Sequence, residues 1–130
     1  MAGTASVKIR CAITDLGNAP PITASFDISD VDEYPHQVRS LAATTAEAIN
    51  LGSVAATSVQ GIAIKLISGG STAATGLSID MEASTWATSH AILLQGEMIH
   101  WRPGAASVIL SVKNLNSSAC VYEYILYGEA

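Results

Sequence analysis

Apolar and polar residues alternate along most of this chain with a period of two. Val7, Ile9, Cys11 and Ile13 are interleaved with Lys8, Arg10, Ala12 and Thr14. The rhythm returns where Ile22, Ala24, Phe26 and Ile28 alternate with Thr23, Ser25, Asp27 and Ser29, and where Ile62, Ile64 and Leu66 alternate with Ala63, Lys65 and Ile67. Leu77, Ile79 and Met81 are set against Ser78, Asp80 and Glu82, and Val108, Leu110 and Val112 against Ser107, Ile109, Ser111 and Lys113. Successive side chains of a strand leave opposite faces, so each segment predicts a strand with one buried and one solvated side. On this reading Asp80 and Glu82 are solvent-facing. Further strands are expected over 37–41, 46–51, 90–94, 97–101 and 119–127.

The intervals carry turn chemistry: Gly17-Asn18-Ala19-Pro20-Pro21, Ser68-Gly69-Gly70-Ser71, Gln95-Gly96, Pro103-Gly104 and Asn114 through Ser118. Segments 41–49 and 81–90 are the helical alternatives, but neither holds a sustained 3.6-residue stripe. The expected fold is therefore all-β. Length and strand number fit a jelly-roll-like antiparallel β-sandwich of about eight strands, with an immunoglobulin-like sandwich as the competing arrangement. Residues 1–6 read as a flexible N-terminal arm and 7–130 as one sandwich domain.

Composition narrows the class. Of 130 residues, 49% are hydrophobic and 13% charged, which is too apolar for a disordered chain and too poorly charged for a coiled coil. No apolar run approaches the length of a membrane-spanning helix, and Met1 to Ser6 has neither the basic nor the apolar region of a secretory signal. The net charge of −5 comes with scattered lysines and arginines, so neither nucleic acid nor membrane is an expected partner. A surface covered by few charges favours association with other copies. Cys11 and Cys120 lie near opposite ends of the chain and, without an export signal, read as free thiols.

Chemistry-bearing patterns are sparse. There is no G-x-S-x-G elbow and no phosphate loop. His36, His90 and His100 are too widely spaced to suggest a zinc site, and Asp27, Asp30 and Asp32 do not follow the spacing of a calcium loop. The expectation is a protein that is not an enzyme, with no catalytic residue, metal or cofactor. The segment Cys120 to Tyr127 departs from alternation. One face would carry Cys120, Tyr122, Tyr124 and Leu126, the other Val121, Glu123, Ile125 and Tyr127. Such a strand is either central and covered on both sides or meets another subunit. Trp101, Val121, Tyr122, Tyr124, Ile125 and Tyr127 are thus candidate oligomer-interface residues.

The run Leu94-Gln95-Gly96-Glu97-Met98-Ile99-His100-Trp101-Arg102-Pro103, then Ser107 to Leu115, then the tyrosine-rich strand ending Leu126-Tyr127-Gly128, resembles the capsid decoration (cement) proteins of tailed bacteriophages. Segments 48–52 and 59–65 are similar in style. The resemblance implies a jelly-roll-like virion protein, made in the host cytoplasm and located on the capsid exterior. It would form a homo-oligomer, expected to be a trimer, that binds the major capsid protein and bridges neighbouring subunits. Candidate shell-binding residues are Ala2, Gly3 and Thr4 of the arm and Asp30, Asp32 and Glu33 of the acidic loop. The rival reading is a carbohydrate-binding or connector module of a phage tail, neck or fibre, with Trp86 or Trp101 stacking on sugar.

Overall fold

A computed structural model of the chain describes residues 2–12, 20–104 and 107–130. Ten strands follow in order: β1 (Gly3–Cys11), β2 (Ile22–Val31), β3 (His36–Leu41), β4 (Ala46–Ala48), β5 (Val59–Ser68), β6 (Leu77–Asp80), β7 (Ala91–Leu93), β8 (Met98–Trp101), β9 (Ser111–Asn114) and β10 (Cys120–Gly128). The described residues contain no helix, so segments 41–49 and 81–90 are strand and loop. The expected strand residues Ile13 and Thr14, and the turn at 17–19, lie outside the described residues.

Two four-stranded antiparallel sheets make a sandwich. One has the order β3-β10-β5-β8 and the other β4-β9-β6-β7. The pairings nest: β3 with β10, β4 with β9, β5 with β8 and β6 with β7. A long antiparallel hairpin folded back upon itself gives this nested order. Alternation built the interior as expected. Ile62, Ile64 and Leu66 of β5 and Tyr122, Tyr124 and Leu126 of β10 face Leu77 and Ile79 of β6 and Val112 of β9 across the core. Each such side chain contributes roughly 1.5–3 kcal/mol by leaving water.

β1 and β2 form a separate two-stranded ribbon, in register from Ala5 opposite Ile28 to Cys11 opposite Ile22. The arm expected over 1–6 is corrected here, because Gly3 to Ser6 belong to β1. Small Thr, Ala and Ser residues show no alternation in sequence, yet their backbone pairs with the end of β2. Near that end Asp30 has φ of 61° and the register shifts between Gly3 and Ala5, a β-bulge that bends the ribbon where it joins the sandwich.

β6 departs from its expected half-solvated pattern. Ser78 and Asp80 are buried along with Leu77 and Ile79. Segment 82–89 folds across the outer side of β6, and only Glu82 keeps the predicted exposure.

Candidate functional site

The outer face of β3-β10-β5-β8 carries most of the residues singled out from sequence. Strand alternation puts Val121, Glu123, Ile125 and Tyr127 of β10 on this face, beside Ala63 and Lys65 of β5, Val38 of β3 and Met98 and His100 of β8. Its charged residues are few. His36 Nε2 lies 2.6 Å from Glu123 Oε2, so the two satisfy each other on the open surface.

The ribbon crosses one end of this face. Paired residues share a side of a ribbon, so Ala5, Val7, Ile9 and Cys11 of β1 and Ile22, Ala24, Phe26 and Ile28 of β2 form an apolar side. The other side bears Ser6, Lys8, Arg10, Thr23, Ser25 and Asp27, with the Ser6 hydroxyl donating to Asp27 Oδ1 at 2.7 Å. Between the apolar side and the sheet runs a cleft of about 340 Å³, with Val7, Ile9, Ala63, Met98 and Ile125 in its walls.

Tyr127 and His100 close the cleft floor. His100 Nε2 and the Tyr127 hydroxyl are 2.7 Å apart, and the Phe26 ring lies 6.0 Å from the imidazole. Burial lowers the His100 pKa below the usual histidine value, and burial raises that of Tyr127. The Tyr127 ring reaches over Gly61, where a Cβ would collide with it. No carboxylate lines this cleft among the described residues, so His100 has no acidic partner there.

The shell-binding candidates are far apart in sequence and adjacent in space. Gly3 pairs with Val31, and Gly3, Thr4, Asp32 and Tyr34 line a second cleft of about 360 Å³ with Ile125 and Tyr127 at its base. Ala2, Asp30 and Asp32 are exposed, while Glu33 is half-buried. The acidic segment is fastened rather than loose. Asp32 and Glu33 donate their amides to the Gly128 carbonyl, and the Ala130 amide donates to Asp32 Oδ1 at 3.0 Å. Tyr34, which sequence reasoning passed over, projects from this end with 66% of its surface exposed.

Two interface candidates are corrected. Tyr122 and Tyr124 point into the sandwich and are buried. The Tyr122 hydroxyl donates to Glu47 Oε1, and the Tyr124 hydroxyl donates to the Asn50 carbonyl. Arg39 donates to the same Glu47 through Nε at 3.1 Å and Nη2 at 2.9 Å, holding that carboxyl below the usual range. Burial, reinforced by the Glu47 hydrogen bond, drives the Tyr122 phenol upward. Tyr127 is buried beneath the ribbon, whereas Val121, Ile125 and Trp101 stay half-exposed.

Asp80 is a second correction. Its carboxylate accepts amide protons from Thr88, Glu82 and Ala87 at 2.9–3.0 Å, which holds its pKa at about 2. The Trp86 indole donates to Ser78 Oγ, and Lys113 Nζ stands 4.5 Å from its ring centroid, so a sugar would have to displace that lysine. Trp101 instead lines a cleft with Met81, Pro103 and Val108. Cys11 is exposed on the ribbon and Cys120 is buried on β10. No group of three or more His, Cys, Asp or Glu side chains stands in metal-binding reach among the described residues.

No family model, curated protein or solved structure matches this chain.

Proposed function

We propose that the protein is a non-enzymatic virion component that binds the outside of a phage capsid as an oligomer, with the trimer as the expected form, and bridges neighbouring shell subunits. One observation supports this reading. The two candidate shell-binding segments, Ala2 to Thr4 and Asp30 to Glu33, converge at one end of the molecule around a cleft capped by exposed Tyr34. An exposed tyrosine beside an apolar cleft is the kind of anchor that dominates protein interfaces. The open backbone edge of Gly3 and Thr4 suits strand addition by a partner.

Bridging needs no chemistry. Each copy in an oligomer that is already bound makes its next contact intramolecularly, so modest single contacts add up to a firm clamp. A net-acidic body has little attraction for packaged DNA. The test is imaging of expanded phage shells with the added full chain. Tyr34→Ala and deletion of Ala2 to Thr4 are each expected to weaken shell affinity by about tenfold, near 1.4 kcal/mol, while circular dichroism stays unchanged. Full occupancy by both variants would overturn the reading. Glycan-dependent tryptophan quenching with no shell binding would replace it with the carbohydrate-binding one.

A further inference from the structure

The ribbon rests on the sandwich through a footprint that contains a histidine. Val7 and Phe26 stand opposite each other in the ribbon; Val7 lines the same cleft as His100, and the Phe26 ring lies 6.0 Å from the imidazole. On the sandwich side the Tyr127 hydroxyl is 2.7 Å from His100 Nε2, and the two rings are stacked. The groups around this imidazole give a positive charge no partner. From the ribbon, Lys8 lines the cleft, while Asp27 belongs to the opposite side and is engaged by Ser6. From β5, Ala63 stands opposite His100, and Lys65 opposite Met98. From β10 come the Tyr127 hydroxyl and, further along, Glu123, which is already paired with His36 at 2.6 Å. Arg102 directly follows β8.

The ribbon also has a hinge. Where it meets the sandwich both strands are irregular at the same level: Asp30 has φ of 61°, and the register shifts between Gly3 and Ala5. Past that line the chain is fixed, because Val31 is buried and the Asp32 and Glu33 amides donate to the Gly128 carbonyl. From the hinge and the latch together we infer that the β1–β2 ribbon is an acid-operated strap, which protonation of His100 loosens from the sheet face so that it swings about Asp30. A neutral Nε2 accepts the Tyr127 hydroxyl proton beneath the ribbon. An imidazolium there has no counter-ion and little water, whereas a lifted ribbon lets solvent reach it. Burial already favours the neutral ring. The ribbon is the part that yields, since β1 and β2 are mostly exposed and the strands beneath them are largely buried. Lifting it uncovers the apolar cleft wall at Ala63 and Ile125. The closed form is fully favoured above the usual histidine value of about 6.5 and weakens as pH falls below it, by up to about tenfold per pH unit for one proton. The inference is independent of the capsid reading.

The experiment is electron paramagnetic resonance on the full chain carrying a nitroxide at Cys11, which is exposed on the ribbon while Cys120 is buried. Spectra are taken from about pH 8 to about pH 5, where histidine titrates and Asp80, with its pKa of about 2, does not. The mobile fraction is expected to rise reversibly below about pH 6.5, with unchanged near-ultraviolet circular dichroism. His100→Gln, and His100→Phe should the glutamine variant fail to fold, are expected to remove that response, while His36→Gln and His90→Gln retain it. A wild-type ribbon that ignores acid, or a response that survives loss of the His100 imidazole, overturns the inference. So does a ribbon that tightens in acid, which would mean that the Phe26 and Tyr127 rings hold the imidazolium better than water does.

Discussion

At the scale of single residues, Asp80 ties the covering segment 82–89 to β6. Three amide donors stabilise its charged form, and the hydrogen bonds anchor the segment that covers β6. Its folded pKa, about 2, lies below that of an unfolded aspartate near 3.9. A depressed acid contributes stability that is complete above the unfolded value and disappears as pH falls through the folded one. Urea midpoints should therefore decline between pH 4 and pH 2, and Asp80→Asn should be less stable at pH 7 with a flatter acid limb. An unchanged acid limb would show that the segment holds without this charge. Sequence alone could not reveal the role. Ser78 and Asp80 occupy the polar phase of a regular alternation, and the loop that buries them carries no periodicity of its own.

At the scale of elements, the alternation made β5 and β9 legible, because each has one side in a core that apolar side chains fill, and it marked the apolar side of β1 and β2. It failed where polar atoms do the joining. Tyr122 reads as an apolar ring in sequence, and its aromatic neighbours suggested an intersubunit surface. In the fold it ties β10 to Glu47 of β4, while Arg39 of β3 completes the link between the two sheets. Tyr122→Phe should cost about 1–2 kcal/mol in chemical denaturation, since Glu47 keeps Arg39 and loses only one buried donor. A loss below ~0.3 kcal/mol would mean water replaces the hydroxyl without penalty. The ribbon's first residues were illegible for a different reason: Gly3 and Thr4 are held by backbone pairing, and their small side chains carry no face preference.

At the scale of the whole molecule, the ribbon and the sandwich differ in how they are secured. β5 and β10 lie in the middle of a sheet with buried side chains, whereas β1 and β2 are mostly exposed and rest on the sandwich by one side. Hydrogen exchange should show β1–β2 amides opening well before those of β5 and β10, which exchange only on global unfolding. Equal protection in both would mean the ribbon is an integral part of the cooperative unit. His100 connects the two parts. Its neutral form is favoured under the ribbon, so acidification below the ordinary histidine value of about 6.5 should speed ribbon exchange first.

The nested pairing also sets an order of assembly during translation. Among the described residues β3 finds its neighbour only in β10, with Leu41 opposite Cys120. At 5–20 residues per second the ribosome needs roughly 4–16 seconds to deliver those ~80 intervening residues. Throughout that interval the nascent chain holds an unpaired edge in β3, where Val38 stays exposed and Leu41 lacks the strand that shelters it. The polar, charge-bearing make-up of His36-Gln37 and Arg39-Ser40 around them is of the kind that disfavours pairing of a waiting strand with the wrong chain.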